Sequence, residues 1–127
     1  MEDREKQTFV ELKNKMVNQS MQLKSMQQQV AVLARQGRRS ALTVEELKGF
    51  PEDAKTYRTI GKAYFLAPRN EIISGLEQSQ QSMVSNINDL NAKRAAVENS
   101  LKGVESELRE LLTSSPALAQ QLAAQEA

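Results

Sequence analysis

Glu45, Glu46, Glu52 and Asp53 are the nearest approach to a catalytic cluster in this chain. Paired carboxylates can move a proton or hold a divalent cation when a pocket desolvates them. The rest of the sequence does not supply that setting. It contains no histidine and no cysteine, the side chains on which zinc sites and most general acid–base designs depend. Gly61 and Gly103 are isolated, so there is neither a phosphate-cradling loop nor a dinucleotide fingerprint. The four carboxylates therefore read as a solvated loop. No catalytic, cofactor-binding or metal-ligating residue is expected, and the chain is not expected to be an enzyme.

A second cluster, Arg35, Arg38 and Arg39, could face nucleic acid or an acidic partner. The net charge is only +1, from 17 basic and 16 acidic residues, whereas phosphate binding draws on a basic surplus. The arginines read better as solvation of a helix end, where cations favour the dipole. No nucleic acid partner is expected.

The remaining chemistry is that of exposed backbone and apolar surface. In TYRTIGKAYFLAP, residues 56–68, two runs rich in β-branched and aromatic residues flank Gly61-Lys62. That pair suits a two-residue II′ turn with glycine at the position of positive φ. The register then sets Ile60 opposite Ala63 and Tyr57 opposite Leu66. An isolated two-stranded ribbon is marginal in water, and its edges present unpaired backbone groups that invite another strand. Tyr57, Thr59, Ile60, Gly61, Lys62, Tyr64, Phe65 and Leu66 are accordingly the candidate assembly residues.

The segments around this ribbon read as helix. Aromatics make up 4% of the 127 residues and tryptophan is absent, too few large rings for a compact globule of this size. In residues 2–36, Phe9, Leu12, Met16, Gln19, Leu23, Met26, Val30 and Leu33 recur at alternating steps of three and four. In residues 69–113 the same steps pick out Ile73, Leu76, Gln80, Met83, Ile87, Leu90, Arg94, Val97, Leu101, Val104, Leu108 and Leu111. A 3.5-residue period held this long is the seam of a coiled coil. Gln19, Gln80 and Arg94 weaken it and can fix its register. Gly37 is a plausible stop for the first helix. Thr43 with Glu46 forms a capping-box pattern opening a short helix over residues 44–48, which Gly49 and Pro51 close. The expected fold is mainly α: a long antiparallel two-helix coiled coil, joined at its base by a short helix and one β-hairpin. Residues 2–36, 37–69 and 69–113 then form one domain, with residues 114–127 as a flexible tail. Helices of about 35 and 45 residues would run roughly 50 and 65 Å at 1.5 Å per residue.

This layout resembles prefoldin, the hexameric co-chaperone whose coiled-coil tentacles hang from a double β-barrel. One hairpin between two helices is similar to its β class. The residues that carry the resemblance are Tyr57, Ile60, Gly61, Lys62, Tyr64 and Leu66 in YRTIGKAYFL, together with LTVEEL at residues 42–47. The family pattern is Tyr, two residues, Val or Ile, Gly, Arg or Lys, any residue, an aromatic, any residue, Leu. Pro68 departs from it, standing where the family often has a polar helix cap. The resemblance implies partners: other prefoldin α- and β-class subunits in a heterohexamer, unfolded actin and tubulin chains, and the cytosolic chaperonin that receives them without ATP.

Val10 and Val17 lie one heptad apart just off the seam, and Leu112 is off phase beside Leu111. If the termini form the distal tip, these four are candidate client contacts, since exposed apolar groups suit weak, multivalent capture. Met21 is also off the seam, whereas Met16, Met26 and Met83 fall on it. Leu118 and Leu122 either contact clients or lie in a disordered tail, with disorder favoured. The competing reading is a structural adaptor that docks through its hairpin on a larger scaffold. The N-terminal residues carry mixed charge without an apolar run, so no secretory signal is expected, and the apolar run at residues 63–67, which no other run exceeds, is too short for a membrane span. The expected compartment is the cytoplasm, with the nucleus as a second.

Overall fold

The structure is a computed structural model that describes residues 2–126. Its elements are α1 (Glu2–Gly49), β1 (Thr56–Ile60), β2 (Ala63–Ala67), α2 (Arg69–Ser114) and α3 (Pro116–Glu126). The fold is thus mainly α, with two long helices and one antiparallel hairpin. It divides into a terminal unit, residues 1–27 with 92–127, and a hairpin unit, residues 28–91.

In the hairpin unit, the expected break at Gly37 does not occur: α1 continues to Gly49, and the expected short helix is its last turns. A C-terminal glycine stop needs positive φ, and Gly61 is the glycine that adopts it here. Gly37 instead serves the seam. The Met83 sulfur lies 3.7 Å from where a Gly37 Cβ would stand, and Gln80 Nε2 donates to the Gly37 carbonyl at 3.3 Å. The heptad steps run on through Leu33, Gly37, Ser40, Val44 and Leu47, all at least half-buried, with Val44 only 7% exposed. Packing against α2 outweighs glycine's roughly 1 kcal/mol helix penalty. Thr43 does not cap. Its hydroxyl donates to the Arg39 carbonyl at 2.9 Å, the back-bond of a helix interior. Arg35, Arg38 and Arg39 are therefore an exposed stretch within α1 rather than a helix end.

Also in this unit, the Pro68 carbonyl accepts from Glu71 and Ile72, so Pro68 takes the N-cap place of α2. Val30, Leu33, Met83, Ile87 and Leu90 are half-buried.

In the terminal unit, Phe9, Leu12, Met16, Leu23, Met26, Val97, Leu101 and Leu108 are half-buried, and Val104 is 3% exposed. Gln19 Nε2 donates to Ser100 Oγ at 2.7 Å, which pairs the helices in antiparallel sense. The Gln19 Oε1 atom is buried without a partner. Arg94 meets Glu98 one turn on at 3.7 Å.

The tail expected to be flexible is helical from Pro116 to Glu126; residue 127 lies outside the described residues. Pro116 breaks the ladder after Ser115, whose carbonyl accepts from Leu118 and Ala119 to start α3. The heptad steps nonetheless cross the break as Leu111, Ser115, Leu118 and Leu122. Leu118 is 5% exposed and Ser115 is buried, its hydroxyl donating to the Glu5 carboxylate at 2.6 Å. That phase accounts for a helix that an Ala- and Gln-rich composition undersells.

Candidate assembly hairpin

The two strands pair in the register that the turn dictates. Thr56 faces Ala67, Tyr57 faces Leu66, Arg58 faces Phe65, Thr59 faces Tyr64 and Ile60 faces Ala63. Gly61 turns the chain at φ +62°, and no non-glycine residue among those described has positive φ. Lys62 thus keeps negative φ, as a II′ turn requires and a I′ turn does not.

Cross-strand partners share a face. Tyr57, Thr59, Tyr64 and Leu66 occupy one face, and Arg58, Ile60 and Phe65 the other. Neither is covered: Tyr57, Ile60, Tyr64, Phe65 and Leu66 are between 52% and 74% exposed. A two-residue turn makes Ile60 and Ala63 a hydrogen-bonded pair, and such pairs alternate along an antiparallel ladder. The N–H and C=O groups of Tyr57 and Thr59 therefore point away from the ladder on one edge, and those of Tyr64 and Leu66 on the other. Among the described residues the sheet has two strands, so both edges are open.

The root of the ribbon is tied. Thr56 Oγ1 donates to the Ala67 carbonyl at 2.5 Å. Arg69, the first residue of α2, sends Nη1 to the carbonyls of Leu47 at 3.4 Å, Phe50 at 2.5 Å and Pro51 at 3.4 Å. Lys48 meets Glu77 at 3.3 Å on the surface. Beyond the root, ribbon residues 57–66 are exposed. An open groove of about 520 Å³ separates β1 from the Ile72, Gly75 and Leu76 stretch of α2.

Phe50, 53% exposed beside this root, was not singled out by the sequence, because a lone aromatic between Gly49 and Pro51 has no period to reveal it. Arg69 was missed because its partners are backbone carbonyls. Glu45, Glu46, Glu52 and Asp53 are all exposed, and among the described residues no three metal-ligating side chains gather.

Of the candidate client contacts, all in the terminal unit, Val10 and Val17 are exposed, as is Met21. Leu111 and Leu112 are half-buried. Leu111 lines a cleft with Arg4, Glu5 and Thr8. The two valines and Met21 are thus open apolar surface, and the two leucines are partly covered. No described helix is long and apolar enough to cross a membrane.

A family model described as prefoldin subunit matches residues 11–115. Prefoldin subunit 1 of Arabidopsis thaliana is 32% identical over 114 residues, 90% of this chain and 89% of that protein. Its Danio rerio counterpart is 30% identical over 109 residues, 86% and 89% of the two chains. In fold, the prefoldin beta subunit from Thermococcus strain KS-1 aligns with a TM-score of 0.51 over 76% of this chain and 91% of that one, at 20% identity. A match that takes in the hairpin and nearly all of both seams, with relatives similar along 86–90% of the length, makes this chain a member of the prefoldin family.

Proposed function

We propose that this chain is one subunit of a heterohexameric prefoldin co-chaperone. Its hairpin closes a shared sheet with hairpins of α- and β-class subunits. Exposed apolar groups of its terminal unit, Val10 and Val17 first among them, hold unfolded polypeptides such as actin and tubulin. The particle passes them to the cytosolic chaperonin without ATP, in the cytoplasm and also in the nucleus. Family membership supports the co-chaperone role itself, which is that of a chaperone rather than an enzyme.

One observation carries the assembly part of this reading: a ribbon with five large apolar side chains exposed and two open edges. Such a ribbon is marginal by itself. Strands from other chains would pair both edges, and closing the sheet would bury one of the two faces.

The test is the native mass of the tagged chain purified from its own cells, with every co-purifying chain identified. A discrete particle of six small, coiled-coil-rich chains is the expected result. A homodimer, or one copy on a large unrelated scaffold, would overturn the reading in favour of a tether. Unfolded actin added to the particle should then stay soluble, whereas a tether would let it aggregate.

A further inference from the structure

The ribbon makes few contacts that could aim it. Its faces are open, and a groove lies between β1 and α2, with Arg58 Nη2 3.9 Å from where a Gly75 Cβ would stand. Its direction must therefore be set at its root. There the chain enters from α1 through residues 50–55 and leaves through Pro68 alone, whose ring fixes φ. A single residue between β2 and α2 means that any rotation of the first turn of α2 swings the whole ribbon.

Arg69 sits at that pivot. Its Nη1 lies within hydrogen-bonding distance of three carbonyls, Leu47, Phe50 and Pro51, which belong to the last turn of α1 and the segment just after it. The final carbonyls of a helix lack intrahelical donors, and the negative end of its dipole favours a cation. One guanidinium thus joins the exit of α1 to the entry of α2 across 18 to 22 residues of sequence. Thr56 and Ala67 close the ring above it.

We propose that Arg69 is the positioning residue of the assembly hairpin: it holds the root at one angle, so that the open edges meet neighbouring strands without a search. This rests on the reading that the hairpin assembles the particle. Holding the angle before association removes part of the ordering cost that binding otherwise meets.

The test compares Arg69→Ala, Arg69→Met, Arg69→Lys and Ile60→Pro. Each is co-expressed with the partner subunits in competition with the wild-type chain, and incorporation is measured. Hairpin amide exchange and helix content are measured on the same isolated chains. Ile60→Pro should abolish incorporation by breaking the ladder. Arg69→Met keeps the aliphatic stem but loses every donor. It should lower incorporation about tenfold, the scale of one charged hydrogen bond, with faster hairpin exchange and unchanged helix content. Arg69→Lys keeps the cation and three donors and should recover part of the loss, while Arg69→Ala should do no better than Arg69→Met. Arg69→Met or Arg69→Ala incorporating like wild type while Ile60→Pro fails would overturn the role of Arg69 alone. A loss of helix content in parallel with incorporation would overturn it too, since Arg69 would then be only a cap of α1. Normal incorporation of Ile60→Pro would overturn the assembly reading itself.

Discussion

Replacing Gly61 with alanine isolates the contribution of the turn. Gly61 adopts φ +62°, and nothing lies within 4 Å of where its Cβ would stand. The added methyl therefore meets no neighbour. The cost is the local backbone penalty of an L residue at positive φ, about 1–2 kcal/mol. In a well-packed sheet that cost would be absorbed by surrounding contacts. This ribbon has no third strand and no covered face, and two strands alone are marginal. A penalty of 1–2 kcal/mol then shifts the ratio of closed to open ribbon by a factor of roughly 5–30. If only the closed ribbon joins the particle, apparent affinity falls with the closed fraction, by up to the same factor. The assay is competition between Gly61→Ala and wild-type chains for incorporation, with amide exchange at Ile60 and Ala63 in the free chain. Exchange should accelerate and incorporation fall together, while the helical melting curve stays put. Gly61→Asn should lose less, because asparagine tolerates positive φ. Unchanged incorporation would refute the link between turn and assembly, and a lowered helical melt would refute its local origin.

Three further outcomes are expected. Val104→Ala removes two methyl groups from a side chain 3% exposed and should cost about 2 kcal/mol of stability in denaturant melts. Gln19→Leu removes a half-buried amide whose Oε1 has no partner and should raise stability by about 1 kcal/mol, while relaxing helix register as read by spin-label distances across the seam. The double change Val10→Ser and Val17→Ser, at exposed positions, should leave stability within about 0.5 kcal/mol and incorporation unchanged. Under the proposed function it weakens suppression of actin aggregation in a light-scattering assay.

What could be read from the sequence was what depends on near neighbours. The turn demands glycine at one position, two residues close it, and the register follows without tertiary information. The span of α2 was legible for a similar reason, since its seam is written in Ile, Leu, Val and Met. The continuation of α1 was not, because Gly37 and Ser40 occupy seam positions where side-chain identity gives no apolar signal. Only the unbroken steps from Leu33 to Leu47 reveal it. Thr43 misled because a hydroxyl that can cap can also bond the carbonyl four residues back, and only the continuing helix decides between them. The tail shows the same lesson: Ala and Gln look weak, yet Ser115, Leu118 and Leu122 keep the phase of Leu111. Arg69 lay beyond sequence reasoning, because three carbonyls 18 to 22 residues away leave no mark on residue type.

The ribbon's two edges bear on why assembly would run to closure rather than stop at a pair. Burying a large apolar side chain yields about 1.5–3 kcal/mol, and association costs about 4–15 kcal/mol in lost freedom. One face of this ribbon, with Tyr57, Tyr64 and Leu66, leaves little surplus over that cost. Pairing along Tyr57 and Thr59 satisfies one edge but leaves Tyr64 and Leu66 with outward N–H and C=O groups. Each added strand then presents the same problem at its own far side. Only a closed sheet has no edge left. In a closed ring the last strand gains two paired edges and a covered inner face for a single loss of translational freedom. A ribbon held at a fixed angle by Arg69 can meet that condition on both sides at once. A freely swinging one would have to be ordered anew at each edge.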